Sequence, residues 1–134
     1  MLTPVLALII WTLILWVWMY ATRLPAMKKA KIDPQLFKAS GQPSALPDNV
    51  RVVADNYNHL HEQPVIFYAL AFYTHLAGNV DGLTIGLAWA YVMLRVLHSF
   101  IQIVVQHVAT RFVVFALASL MLVVLALLNV VALF

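Results

Sequence analysis

The chain has 134 residues, 64% of them hydrophobic and 10% charged, against roughly 45–50% and about 25% in an average soluble domain. That balance excludes an ordinary water-soluble globule and points to an integral membrane protein. No cysteine is present, which removes disulfides, thiolate metal sites and a cysteine nucleophile. The net charge is +3, but five of the eight Lys/Arg fall between Arg23 and Lys38. A local juxtamembrane cluster with no basic, aromatic-bearing face argues against nucleic-acid binding.

Residues 1–22 contain no Asp, Glu, Lys or Arg, enough for a helix to cross a hydrocarbon core of about 30 Å. A cleaved signal is not expected, because no positive segment precedes the apolar run and that run is about twice the usual length. Trp11, Trp16, Trp18 and Tyr20 read as an interfacial aromatic belt. The first helix is therefore predicted over about 3–30, with a bend near Pro25. Residues 32–48 hold three of the six prolines, so a loop is expected over about 31–48.

Asp48 is placed to cap a second helix over about 49–76, in which Pro64 should free the Leu60 carbonyl and open a kink. Gly78 to Gly82 form a short turn. A third helix follows over about 83–107, with Arg95 as its only full charge. A fourth runs over about 111–133. Gly86 and Ala90 make a small-xxx-small pair suited to close helix packing. The expectation is an all-α integral membrane four-helix bundle, forming a single domain over 1–134. Runs such as residues 6–20 do not alternate as barrel strands would.

Four spans put both termini on one side and loops 1 and 3 on the other. Loop 1 and its flanks carry Arg23, Lys28, Lys29, Lys31, Lys38 and Arg51, and loop 3 adds Arg111, whereas the second connection has only Asp81. By the positive-inside rule the basic loops are expected in the cytoplasm and both termini on the opposite side.

Ionisable residues within the spans default to a functional reading, because burying them in lipid is costly. On the second helix Arg51, Asp55, Asn58 and Glu62 recur at helical spacing and fall within about 60° of arc. His59 and His61 widen that polar face. On the third helix Tyr91, Arg95, His98, Ser99, Gln102 and Gln106 form a matching stripe over about 100°. The two stripes are expected to face each other at the basic end, where Arg111 opens the fourth helix. Arginine forks match carboxylates and Glu62 suits an amine, so the set fits a small ligand carrying both. The competing structural reading is that the charges pair only to make burial tolerable, with Gln and His joining helices. A metal is not expected. Haem ligation would need a pairing between helices, such as His59 with His98, and is not expected either.

At this point the residues resemble a known family, the membrane-associated proteins in eicosanoid and glutathione metabolism (MAPEG), and in particular its bacterial-type members. The stretch Asn56 to Pro64 is similar to the family's Asn-x-x-Glu-…-Pro motif. Arg95-Val-Leu-His98 is similar to its Arg-x-x-His, and Arg111 to the Arg that opens its fourth helix. The resemblance implies a homotrimer with glutathione as co-substrate between subunits near the cytoplasm. It implies that Glu62 holds the glutathione amine, that Arg51, Asn58, His59, Arg95, His98 and Gln102 line the site, and that Arg111 is catalytic, stabilising the thiolate. Three positions depart from the pattern. With Glu62 as the motif Glu, His59 stands where the family has Asn and Asn58 is one place off, whereas aligning Asn58 puts His61 at the Glu position. Gln102 stands where several catalytic members have Tyr, and Phe112 where Ser can follow the Arg.

The expected function is a glutathione-dependent transferase or peroxidase-like protein acting on a small lipophilic electrophile that enters from the membrane lipids. The alternative is a non-catalytic lipid- or ligand-binding protein on the same scaffold, and a third reading is a haem- or quinone-linked electron-transfer subunit.

Overall fold

A computed structural model of the chain describes residues 1–31 and 46–134. Most of the expected first loop, with Lys38, lies outside the described residues. Every regular element among the described residues is helical: α1 Leu2–Lys29, α2 Asp48–His59, α3 Gln63–Leu76, α4 Gly82–Phe100 and α5 Val108–Val131. A π-helical turn, Ile101–Val105, extends α4. α1, α4 with its extension, and α5 are each long and apolar enough to cross a membrane. α2 and α3 together make the fourth rod, so the protein is an all-α membrane bundle, as the charge-free runs predicted.

That fourth rod is not the continuous helix expected over 49–76. It breaks between His59 and Gln63, because Pro64 has no N–H to offer the Leu60 carbonyl and its ring crowds the preceding turn. Within the break the bonding tightens to three-residue steps, with His61 N donating to Asn58 O at 2.9 Å and Glu62 N to His59 O at 3.4 Å. Helix ends differ from expectation at two more places. α2 begins at Asp48 itself, after Pro47, and the Asp48 carboxylate makes no cap bond but lies 3.5 Å from Arg51 Nη1. α4 gives way to the π turn at Ile101, and α5 starts at Val108, earlier than expected, because the His107 side chain accepts from Thr110 N and caps it. Pro25 is accommodated inside α1, which continues to Lys29.

α4 and α5 pack most extensively, α1 lies against α2 and α4, and α3 touches α1 and α5. The main core joins Leu8, Phe67, Ala71, Ala88, Tyr91 and Ala118, all fully buried, with the Phe67 and Tyr91 rings stacked at 4.6 Å. A smaller cluster at the basic end holds Met19 against Val53 and Ala54. Trp11 does not act only as an interfacial anchor. Its indole N–H donates to Ser99 Oγ at 3.3 Å and ties α1 to α4. Gly86 has open space around its missing Cβ, so the expected close packing at this pair is not made within the chain.

The two polar stripes part company. On α4, Tyr91, Arg95, His98 and Ser99 are buried, so that stripe is the inner face of the bundle. On α2 the core takes Val50, Val53 and Ala54, which turns Asp55, Asn58 and Glu62 outward. The expectation that the stripes face one another within one chain is therefore corrected. Burial of the valine face fixes the rotation of α2, and charges left on the core side would cost more than those valines gain.

At the end opposite the basic loops, the turn after α3 uses Gly78 in the left-handed region, at φ 75°, where a Cβ would be strained. Asp81 and Thr84 then form a reciprocal cap on α4. The buried Asn129 joins this turn to the bundle, donating to Thr74 Oγ1 at 2.8 Å and accepting from Asn79 Nδ2 at 3.2 Å. Hydrogen bonds between membrane helices are worth ~0.6 kcal/mol on average. Asn129→Leu is therefore expected to cost roughly 1 kcal/mol, read as a lower midpoint in equilibrium unfolding from mixed micelles. The Thr84 backbone N–H, then its hydroxyl, hold the Asp81 carboxyl below its ordinary value. A depressed folded value means that the cap stabilises fully above the unfolded carboxylate pKa and is lost as pH falls through the depressed one. Asp81→Ala should lower the melting temperature at neutral pH, and the gap to wild type should close in strong acid.

Candidate functional site

The site grows out of the broken rod. α2 ends at His59, and Glu62 sits in the break, so the two side chains meet across it with His59 Nδ1 3.0 Å from Glu62 Oε2. The His59 carbonyl, left by the break with only the long bond from Glu62 N at 3.4 Å, also accepts from Arg95 Nη2 at 3.0 Å. A freed carbonyl inside a membrane needs such a partner, because water is absent. Pro64 thus breaks the ladder at this turn, and a buried guanidinium from α4 braces it at the carbonyl next to the one that the proline frees.

Arg95 is fully buried. Its guanidinium carbon stands 5.5 Å from the centroid of the Phe115 ring of α5, an attractive arrangement of cation and π face. Its Nε and Nη1 have no hydrogen-bond partner among the described residues. One turn along α4, the His98 ring lies 6.3 Å from that of His59 and 5.9 Å from that of Phe115, measured between centroids. The π turn and the His107 cap set where α5 begins, and Arg111 follows one turn later.

These elements enclose a cleft of about 210 Å³, lined by His59, His98, Val108, Arg111, Phe112 and Phe115. Half-buried Arg111 offers a fixed positive charge in the first turn of α5, where the helix dipole adds to it. Two imidazoles and an aromatic wall complete the cleft. Such a setting suits an anionic or acidic head beside an apolar reactant: the cation stabilises developing negative charge, and the rings exclude water. Among the described residues no three His, Asp or Glu side chains gather as a metal-ligand set.

Of the residues singled out from sequence, His59, His98 and Arg111 share the cleft, with Arg95 behind it and Glu62 at its edge through His59. Asn58 faces outward one residue before His59. Arg51 stands toward the basic end, about 12 Å along the helix from His59. Gln102 is buried within the bundle, where its Oε1 accepts from Asn56 Nδ2 at 3.0 Å and pins α2 to the π turn. Asn56 itself lies off the polar stripe of α2, and nothing in its spacing marked it. Phe115 was likewise missed, although it follows Arg111 by one helical turn.

A second cleft, about 330 Å³, lies between α1 and the α2–α3 rod, lined by Ile9, Thr12, Leu13, Trp16, Tyr57, His61 and Tyr68. It is larger and mostly apolar, but no arginine or carboxylate lines it. The charge-bearing cleft is therefore the better candidate for chemistry.

A family model described as the MAPEG family matches residues 1–131. Comparisons with curated proteins and with solved structures return no match. The family match runs through all five helices and includes every residue of the cleft, and on that ground the chain belongs to the MAPEG family, the membrane-associated proteins in eicosanoid and glutathione metabolism.

Proposed function

We propose that the protein is a glutathione-dependent transferase or peroxidase acting on lipophilic electrophiles that arrive through the bilayer. The observation that carries this reading is the cleft in which Arg111 stands with His59 and His98 against aromatic walls. A thiol of pKa about 8.5 is mostly protonated at neutral pH, and a nearby fixed cation favours its anion. Each unit by which the thiol pKa falls is worth about 1.4 kcal/mol. In the transfer reaction the sulfur pair forms the bond to the electrophilic carbon, and the leaving group departs with the bonding pair. Arg111 is the group assigned to hold the thiolate.

Glutathione also brings two carboxylates and an amine. The unpartnered N–H groups of Arg95 suit one carboxylate, and the outward Arg51, Asn58 and Glu62 suit the rest of the peptide. Asn58 and Glu62 lie toward the middle of a rod long enough to cross the bilayer, where exposure to lipid is costly. A second copy of the chain covering them would remove that cost and complete the site, which supports an oligomer as the working unit, a homotrimer by the family resemblance. In this reading Gln102 serves from behind, by holding Asn56. The basic end, with Arg23, Lys28, Lys29, Lys31, Arg51 and Arg111, faces the cytoplasm by the positive-inside rule. The apolar cleft beside α1 gives a lipophilic molecule a place to lodge.

A second reading has its own support. Gln102 and Phe112 occupy the positions of the family's Tyr and Ser, and Gln102 is already engaged by Asn56. A non-catalytic protein that binds a lipid or peptide-like ligand would fit both facts.

The two readings separate in one series of measurements. Purified protein is expected to conjugate glutathione to a chlorodinitrobenzene, and native mass spectrometry to show a trimer carrying glutathione. Arg111→Ala should lower kcat about 10²–10³-fold, the usual loss when one charge-stabilising group is removed, with a smaller change in glutathione affinity by calorimetry. Binding without turnover in the wild type would select the second reading. Neither binding nor turnover would reject both.

A further inference from the structure

We infer that His59 is the proton acceptor of this site and that Glu62 is the positioning residue that orients it. This rests on the glutathione reading and adds to it a group that Arg111 cannot replace. An arginine stabilises a thiolate but stays protonated at any working pH, so the thiol proton needs another destination.

Three contacts fix His59. Arg95 Nη2 holds its carbonyl at 3.0 Å, Glu62 Oε2 meets Nδ1 at 3.0 Å, and the His98 ring stands edge-on at 6.3 Å. A carboxylate accepts only, so Nδ1 is the donor in this pair and carries the hydrogen of the neutral ring. That choice of tautomer leaves the lone pair on Nε2. His59 also lines the cleft that contains Arg111. A base oriented by a carboxylate, beside a cation for the product anion, is the arrangement that general-base activation of a nucleophile requires.

His98 shares the cleft, but no carboxylate meets its ring among the described residues. The groups around His59 are Glu62 in the break, Arg95 and His98 on α4, and Arg111 on α5, with Asp55 one turn earlier on its own helix. Glu62 is the anion in direct contact, and Arg95 and Arg111 are the cations.

In the step, the S–H bond breaks and its proton goes to His59 Nε2. Glu62 stabilises the imidazolium through Nδ1–H. The sulfur keeps the electron pair and uses it to bond the electrophilic carbon, and the leaving group takes its bonding pair. His59 then returns the proton to the leaving group or to water. Glu62, which the family resemblance assigns to the glutathione amine, thereby gains a second task through Oε2.

The test is the pH profile of kcat/KM for conjugation of glutathione to a chlorodinitrobenzene by the full-length protein in nanodiscs, with glutathione binding followed by calorimetry. His59→Gln is expected to abolish the rising limb between about pH 5 and 8 and to lower kcat 10²–10⁴-fold, the usual contribution of a general base, while glutathione still binds. At saturating glutathione Glu62→Gln should lower kcat less than His59→Gln does, and Glu62→Asp should restore part of the loss. The double variant should be no slower than His59→Gln, since orientation is worthless without the base. His98→Gln should leave the limb in place. A His59→Gln protein that binds glutathione and keeps the wild-type limb would overturn the inference. If that variant does not fold, Glu62→Gln decides, and an unchanged kcat at saturating glutathione rejects the dyad. Wild-type protein that neither binds nor consumes glutathione removes the glutathione reading itself, and the inference falls with it. Retained conjugation with an unchanged His59→Gln profile removes only the inference.

Discussion

Pro64 breaks the α2–α3 rod, and the guanidinium of Arg95 braces the break by donating to the His59 carbonyl at 3.0 Å. In water a freed carbonyl would be solvated at little cost; in a bilayer it must be met by the protein. The same contact gives a fully buried arginine a hydrogen-bonding partner, so each group makes the other tolerable. Much else follows from this pair. It fixes the direction in which α2 stops, hence where the His59 ring projects and how Glu62 reaches it. It also sets the spacing between α2 and α4, which the Asn56–Gln102 bond then repeats one turn closer to the basic end.

The rotation of α2 imposes the second constraint. Its valines face Met19 and the core, and its acidic and amide side chains face away. A soluble helix divides in this way routinely. A membrane helix that does so leaves polar groups where lipid would touch them, and an isolated subunit would bear that cost along half of one rod. The chain is thus built with a buried polar face on α4 and an outward one on α2, which lie on different sides of the same helix pair.

Much of this was legible in the sequence, and the failures have physical reasons. Charge-free runs located the spans because a hydrocarbon layer leaves few other solutions. The predicted stripe from Tyr91 to Gln106 is one buried helical face as far as Gln102, but Gln106 lies past the π turn and is exposed. The Arg51 to Glu62 stripe was equally regular, but periodicity gives a face and not its neighbour. Only the competing hydrophobic face, Val50, Val53 and Ala54, shows which way it turns. Proline 64 signalled a broken ladder, and the need for a cation or imidazole to mend it could be foreseen. The acceptor, the carbonyl of His59 instead of that of Leu60, depended on the exact course of the break. Asn56 was named only as the first residue of the motif stretch, with no role, and Phe115 not at all, because an amide off the stripe and one Phe among many carry no distinguishing pattern. The π turn left no sequence mark at all, since wide turns reflect packing more than residue preference.

That wide turn has a consequence for the chain as a measured length. In Ile101–Val105 the bond from Gln106 N reaches back to Ile101 O, one residue farther than an α-helix allows. The helix does not resume beyond it: Gln106 turns into the left-handed region at φ 55°, and the extended His107 caps α5. The wide turn thus takes the chain off the α4 axis and hands it within two residues to the helix that packs back beside it. This short stretch is therefore the spacer that sets how far Arg111 stands from the end of α4.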